Sequence, residues 1–277
     1  PALEQKLQQA EREGTLPKVV VPVHLTGSSC DMAAIGLLAK RYGFAVLEDA
    51  SHAVGGRYQG EPVGNCSHSA ITVFSFHPVK IITSGEGGMV TTNDHDLASA
   101  LQMLRSHGIT RDSTKLLERS AGAWYYEQHT LGLNYRITDF QCALGASQLN
   151  RLAAILQERR AIAARYDQLL EGLPVRTPAR QAETESSWHL YVIRLELDSL
   201  SQTRRDVFEA LREQGVGAQV HYIPIHLQPY FRNLGFQIGQ FPHAEFYAKN
   251  SLSLPIYPGL DREKINYVVS TLTRLLS

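Results

Sequence analysis

Lys80 is the side chain with the most chemistry to offer. It stands five residues after Ser75 in Val73-Phe74-Ser75-Phe76-His77-Pro78-Val79-Lys80, just ahead of Gly85-Glu86-Gly87-Gly88. Upstream, Asp49 closes an apolar run in Leu47-Glu48-Asp49-Ala50-Ser51-His52. An acid, a hydroxyl and a lysine in a glycine-bounded turn are what a pyridoxal phosphate site needs. That cofactor requires an anion at its ring nitrogen, donors for its phosphate and an amine for its aldehyde.

In such a site the Lys80 amine holds the aldehyde and, once displaced, carries a proton as general base and acid. It does so only if burial or a neighbouring cation lowers its pKa, and Val79, Ile81 and Ile82 are apolar neighbours that favour this. A snorkelling surface lysine is the plain alternative. Asp49, costly to bury without a partner, would keep the ring nitrogen protonated. Taken alone, it reads equally as a strand-end cap for the next turn. Ser75 at a strand end can donate to the phosphate, although a serine in a strand is by itself only a satisfied hydroxyl. His52 either touches the cofactor ring or is a core histidine with one backbone partner. Gly85, Gly87 and Gly88 suit a tight turn with positive φ. The eleven histidines and three cysteines show no metal-ligand spacing. No glycine-rich dinucleotide or P-loop pattern follows a strand.

The elements that must position these residues follow from the hydrophobic pattern. Val19 to Leu25 reads as a buried strand. Asp31 caps a helix with Ile35, Leu38 and Ala39 on one face, which ends at Gly43. Phe44 to Leu47 is the next strand, so strand, helix and strand form a βαβ unit with a parallel sheet. Ligands of such sheets gather beyond the carboxyl ends of the strands, which is where Asp49 lies. Ser69 to Phe76 reads as a strand with Ser75 and His77 on one face and Phe74 and Phe76 on the other. Gly87 to Thr92 returns as a strand, and Asp94 caps a helix to about Ser106. A loop rich in charge and aromatics spans Arg111 to Tyr126. Thr138 and Asp139 open one long helix to about Leu170, with Leu144, Leu149, Leu152, Ile155 and Leu156 on its apolar face. Beyond Pro174 the pattern predicts strands over 188–195 and 218–222 and helices over 204–213, 243–251 and 262–276. The predicted organisation is a large domain over 1–137, a bridging helix over 138–170 and a small α+β domain over 171–277.

The chain has 277 residues, 43% of them hydrophobic, with 27 basic and 27 acidic side chains. That length buries one large core or two smaller ones. A balanced charge with no basic stripe excludes nucleic acid and an acidic membrane surface as partners. The apolar runs are strand-sized, well short of a membrane span. Cys30, Cys66 and Cys142 are scattered and odd in number, which predicts reduced thiols in a cytoplasmic protein rather than a disulfide framework. No signal peptide is expected. The helical Ala2 to Ala10 directly behind Pro1 predicts an interior or truncated piece of a longer protein.

Together, Glu48-Asp49-Ala50-Ser51-His52-Ala53, Phe74 to Lys80, Gly85 to Gly88, Gly132-Leu133-Asn134-Tyr135-Arg136 and Ala143 to Leu149 resemble the DegT/DnrJ/EryC1/StrS sugar aminotransferases from about Val19 to the C-terminus. The Ser51-His52 pair, Gln219 to Tyr222 and Ser253-Leu254-Pro255 most resemble the members that act on UDP-linked sugars in pseudaminic acid biosynthesis. The resemblance implies an α/β, aspartate aminotransferase-like fold (fold-type I), with a mixed, mostly parallel sheet in an N-terminally truncated large domain. It implies pyridoxal 5'-phosphate as cofactor, Asp49 at the pyridine nitrogen, Lys80 on the aldehyde and Ser75 on the phosphate. His52 joins the cofactor contacts. Asn134 would reach the cofactor phosphate of a neighbouring copy, which implies a homodimer. His77, Tyr135, Arg136, His221 and Tyr222 would lie along the nucleotide sugar. The implied reaction moves an amino group from glutamate onto a 4-keto-6-deoxy nucleotide sugar. The alternatives are another nucleotide-linked keto sugar of the perosamine type, or an inactive regulatory protein that kept the fold. Members of that family also carry an N-terminal Gly/Ser/Thr phosphate turn and a ring-stacking aromatic that this chain lacks. Some relatives have histidine at the lysine position and act as dehydratases, so Lys80 points to amino transfer.

Overall fold

The structure, a computed structural model, describes residues 1–118 and 122–277. The chain divides into two units, one comprising Pro1–Leu25 and Ser29–Leu152, the other Thr26–Ser28 and Ala153–Ser277. Part of the loop expected over 111–126, residues 119–121, lies outside the described residues.

The first unit is built on a four-stranded sheet. Its strands are β1 (Val19–Val20), β2 (Ala45–Asp49), β3 (Ile71–Ser75) and β4 (Gly88–Thr91), adjacent in that order. β1, β2 and β3 run parallel, and β4 returns antiparallel to β3. The sheet is therefore mixed and mostly parallel. β1 is shorter than the predicted strand because Pro22 has no N–H to give the ladder. Pairing resumes only as a single bridge between Val23 and Asp49.

Helix α1 (Ala2–Glu13) and helix α2 (Met32–Tyr42) pack on the sheet face that carries Val46. Leu7, Met32, Tyr42, Phe44 and Val46 form the buried cluster there. Asp31 caps α2 through a bond from the Ala34 N–H, and Gly43 closes it in the left-handed conformation, which glycine adopts without a Cβ penalty. Helix α3 (His95–Leu104) starts at Asp94, whose carboxylate accepts the N–H groups of Asp96 and Leu97.

The stretch expected as one helix over 138–170 is two: α4 (Asp139–Leu149) and α5 (Leu152–Leu169). A capping box between Thr138 and Gln141 starts α4. Asn150, a residue whose side chain competes for backbone hydrogen bonds, stands at the break.

The second unit has a three-stranded antiparallel sheet. It orders β7 (Ser251–Leu254), β6 (Tyr191–Leu195) and β5 (Val175–Arg176). α5, α6 (Arg204–Glu213) and α8 (Arg262–Leu276) supply Ile162, Tyr166, Leu211, Val268 and Leu272 to a core shared with Ile193 and Leu252. Helix α7 (Pro242–Asn250) runs directly into β7. Two predicted strands are shorter than expected. Trp188 adopts a positive φ of 52°, so β6 begins only at Tyr191. The segment 218–222 contributes one bridge, Gln219 to Ser253, after a turn in which Ala218 N–H bonds Val216 O. Among the described residues, no helix is long and apolar enough to cross a membrane.

Candidate active site

The position of the site follows from strand alternation. Successive residues of a strand leave on opposite faces, and partners in register share a face. Glu48 is in register with Thr72, and Asp49 with Val73. The Thr72 hydroxyl donates to Glu48 Oε1 at 2.9 Å, so this pair points to one face, the one bearing Val46. Asp49, Val73 and, two residues on, Ser75 therefore point to the other. Asp49 and Ser75 thus end two adjacent parallel strands on one face.

The loop from Phe76 to Gly87 brings Lys80 to them. Phe76 closes the loop at both ends: its N–H donates to Gly87 O at 2.8 Å, and its carbonyl accepts the Ser84 N–H at 3.0 Å and the Thr83 hydroxyl at 2.9 Å. Within the loop, Lys80 N–H donates to His77 O at 2.9 Å, a tight turn in which Pro78 supplies the fixed φ of the second position. Ile81 and Ile82 are buried and anchor the residues behind Lys80, whereas Val79 is exposed. Two side chains of α4, about two helical turns apart and so on one face, grip the far side of the loop. Gln148 Oε1 accepts the Thr83 N–H at 3.2 Å and its amide donates back to Thr83 O. The Gln141 amide donates to Glu86 O at 3.0 Å. A Cβ on Gly87, whose φ is 155°, would lie 2.4 Å from Ser84 Oγ, so this turn requires glycine.

Burial lowers the Lys80 amine below its ordinary pKa, and the nearby Asp49 carboxylate opposes part of that shift. Both side chains are half-buried. The Ser51 N–H donates to Asp49 Oδ1 at 3.0 Å and orients the carboxylate. The donor set fits pyridoxal phosphate: an amine biased toward its neutral form, a carboxylate close enough to sense it, and a strand-end hydroxyl on the same face.

The remaining sequence-derived residues fall into three places. His52 is buried in the turn after β2. His77 is exposed, with Nδ1 accepting the Val79 N–H at 3.3 Å and Nε2 lying 3.9 Å from Glu86. Asn134, Tyr135 and Arg136 are exposed on an extended segment bridged to the end of α3 through Ser106 and Asn134. Tyr135 and Arg136, with Met89, Leu104 and Leu133, line an apolar groove of about 1000 Å³ beside β4. His221 and Tyr222 belong to the second unit. There His221 Nδ1 is hydrogen-bonded to Ser253 Oγ at 2.7 Å, and burial raises the pKa of the half-exposed Tyr222.

Sequence reading gave Gln141, Gln148 and Glu48 no role. The two glutamines could have been found from their seven-residue spacing on one helix face. Glu48 could have been found as an acid inside an apolar strand run. It is buried, with Oε2 2.7 Å from His24 Nε2, and Oε1 also accepts the Ser69 hydroxyl.

Comparison with known proteins places the chain among sugar aminotransferase-like sequences and folds. Residues 3–273 match the DegT/DnrJ/EryC1/StrS aminotransferase family. The chain is 38% identical over 255 residues to the spore coat polysaccharide biosynthesis protein SpsC of Bacillus subtilis, covering 91% of this chain and 65% of that protein. It superimposes on the PLP form of a putative sugar aminotransferase, Spr1654 of Streptococcus pneumoniae, with TM-score 0.83 and 31% identity, covering 93% of this chain and 68% of that one. The match to PseC of Helicobacter pylori, an aminotransferase involved in pseudaminic acid biosynthesis, has TM-score 0.84 and 30% identity, covering 95% and 67%. The chain thus spans about two thirds of the length of these relatives.

Proposed function

The chain belongs to the DegT/DnrJ/EryC1/StrS aminotransferase family, and from that premise we propose that it serves a pyridoxal phosphate-dependent transfer of an amino group from glutamate to a 4-keto-6-deoxy, UDP-linked sugar. The observation that carries the reading is the nearness of Lys80 to Asp49, whose carboxylate opposes the lowering of the amine by burial. Pyridoxal phosphate, when bound, supplies an electrophilic aldehyde and a ring that takes up the electron pair freed at the substrate carbon.

The side chains divide the remaining work. Lys80 Nζ holds the aldehyde and then moves the proton. A lowered pKa leaves more of the amine neutral and able to accept that proton near neutral pH. Asp49 keeps a proton on the ring nitrogen by presenting a fixed anion to it. Ser75 Oγ donates to the phosphate, and His52 stands in the turn that follows Asp49. Gln141 and Gln148 hold the loop so that Nζ does not drift from the carboxylate. His77, Tyr135, Arg136, His221 and Tyr222 are assigned to the nucleotide sugar.

The pseudaminic-type substrate is supported by likeness to PseC. A perosamine-type sugar is the competing assignment, and activity with the two classes of 4-keto sugar separates them. Asn134 is assigned to the cofactor phosphate of a second copy in a homodimer. The exposure of Leu133, Tyr135, Phe140, Leu144 and Leu149 in the same unit supports an assembly, because scattered rather than clustered apolar exposure is usual for monomers. Three free cysteines support a cytoplasmic location.

The decisive test adds pyridoxal phosphate to the chain and follows its absorbance. A new band at the edge of the visible that glutamate abolishes is expected, with no such band in Lys80→Ala. The same spectrum in parent and variant would refute the role of Lys80.

A further inference from the structure

The back of the sheet carries a polar cluster that the proposed reaction does not use. Glu48 is buried there at 5% exposure and His24 at 0%. His24 Nε2 lies 2.7 Å from Glu48 Oε2. The Cys30 N–H lies 3.2 Å from His24 Nδ1, and although burial disfavours the charged ring, the contacts to Cys30 and Glu48 outweigh it and raise the His24 pKa to about 9. The Thr72 and Ser69 hydroxyls both donate to Oε1. One carboxylate therefore ties β2 to the segment after β1 and to β3, the two neighbours of the strand end that carries Asp49.

The same contacts surround the Asp49 backbone. Its N–H donates to Pro22 O at 2.9 Å, and its carbonyl accepts the His24 N–H at 3.0 Å. His24 thus holds residue 48 through its ring and residue 49 through its main chain. Thr72 directly precedes Val73, the residue in register with Asp49. Glu48 and Asp49 are consecutive and leave the strand on opposite faces, so a tilt of β2 that relaxes one carboxylate displaces the other.

We propose that Glu48 is a positioning residue, which fixes the Asp49 carboxylate relative to Lys80 by gripping His24, Ser69 and Thr72 on the far side of the sheet. The inference rests on the proposed use of Asp49 and Lys80, but its first readout needs no cofactor.

In the cofactor-free chain, the pH dependence of Lys80 acylation, read by mass spectrometry, gives the midpoint of its amine. Thr72→Val keeps the Glu48 charge and removes one of its bonds, so it isolates position from field; Glu48→Gln removes both. The midpoint is expected to fall in each variant by about half a pH unit or more, roughly a threefold change in the dissociation constant, as Asp49 moves away from the amine. In an Asp49→Asn background Thr72→Val is expected to shift nothing further, because the path through Asp49 is gone. Leu272→Ala, in the core of the second unit, is the control for lost stability and should leave the midpoint in place. As a second readout, both Glu48-cluster variants should weaken pyridoxal phosphate binding by about tenfold, a loss of about 1.4 kcal/mol. An unmoved midpoint in folded Thr72→Val and Glu48→Gln overturns the proposal, as does an equal shift in Leu272→Ala. If the parent chain takes up no cofactor, the proposed function fails while the acylation series still decides the role of Glu48.

Discussion

Burial and Asp49 act on Lys80 in opposite directions, and that balance sets what a single atom change does. Burial pushes the amine toward its neutral form, and the carboxylate pulls it back. Asp49→Asn keeps the shape of the side chain and an oxygen for the Ser51 N–H, so the turn after β2 should survive. It removes the anion that the ring nitrogen needs. The variant is therefore expected to bind pyridoxal phosphate yet transfer amino groups slower by on the order of 10²-fold or more, the scale of losing one preorganised electrostatic contact. Single-turnover kinetics with glutamate measure this, and a rate equal to the parent rules out the electron-sink role of Asp49. The Lys80 midpoint should fall further in the same variant, since the opposing charge is gone. His52 and Ser75 could be placed from sequence only by their distance from these two residues. Neither carries a signal of its own that separates a cofactor contact from a satisfied polar side chain.

At the scale of elements, local chemistry was readable and tertiary pairing was not. The Asp31 and Asp94 caps, the Gly43 terminus and the Thr138 start each declare themselves within a few residues, and the structure places helices there. β2 and β3 were legible because their apolar runs end in the acid and the hydroxyl. The segment 218–222 looked equally strand-like, yet among the described residues only Gln219 of it forms a β-bridge, because its neighbours are spent on a turn and on side-chain bonds. Glu48 escaped for a related reason: its meaning lies in Ser69, Thr72 and His24, which pattern alone cannot bring together. The antiparallel pairing of β3 with β4 yields a sharper consequence. Gly88 faces Ser75 in register, and a Cβ there would lie 2.7 Å from the Phe74 carbonyl oxygen. Backbone atoms cannot step aside as a side-chain tip can. Gly88→Ala should therefore open the ladder at Ser75, cost about 1–3 kcal/mol as an overpacking change, and weaken phosphate-dependent binding of the cofactor. Thermal denaturation and a pyridoxal phosphate titration check both parts. A variant with parental stability and affinity would show that the β3–β4 pairing at Ser75 is dispensable.

Across the whole molecule the two units differ in what they bury. The second unit's core is built of Tyr166, Tyr191, Ile193, Leu211, Leu252 and Leu272. Among the described residues, Glu48 in the first unit is the one acidic side chain that is buried. Burial by itself would raise the pKa of Glu48; the bonds from His24 and Ser69, with help from Thr72, outweigh it and hold the carboxyl below its ordinary value of 4.5. A carboxyl lowered by folding stabilises the folded state at every pH above its unfolded value. That contribution is lost as pH falls from there through the folded value, at about 1.4 kcal/mol for each unit of lowering. The carboxylates lowered in the second unit, Asp206, Glu245 and Asp261, lie outside its buried core, where solvent screening leaves them little weight. Acid should therefore loosen the first unit before the second. Hydrogen exchange, corrected for intrinsic rates, is expected to show protection across β2 and β3 that does not fall from pH 7 to about pH 5, because His24, raised to about 9 although burial alone would lower it, keeps its proton in the fold and adds stability as pH drops through its ordinary 6.5. Below pH 4.5 protection should fall there while β6 and β7 remain protected. In Glu48→Gln the same strands should start less protected and lose the fall below pH 4.5, since the amide has no proton to take up. Parallel loss in both units, or an unchanged acid response in Glu48→Gln, would remove Glu48 as the group that ties the sheet to pH.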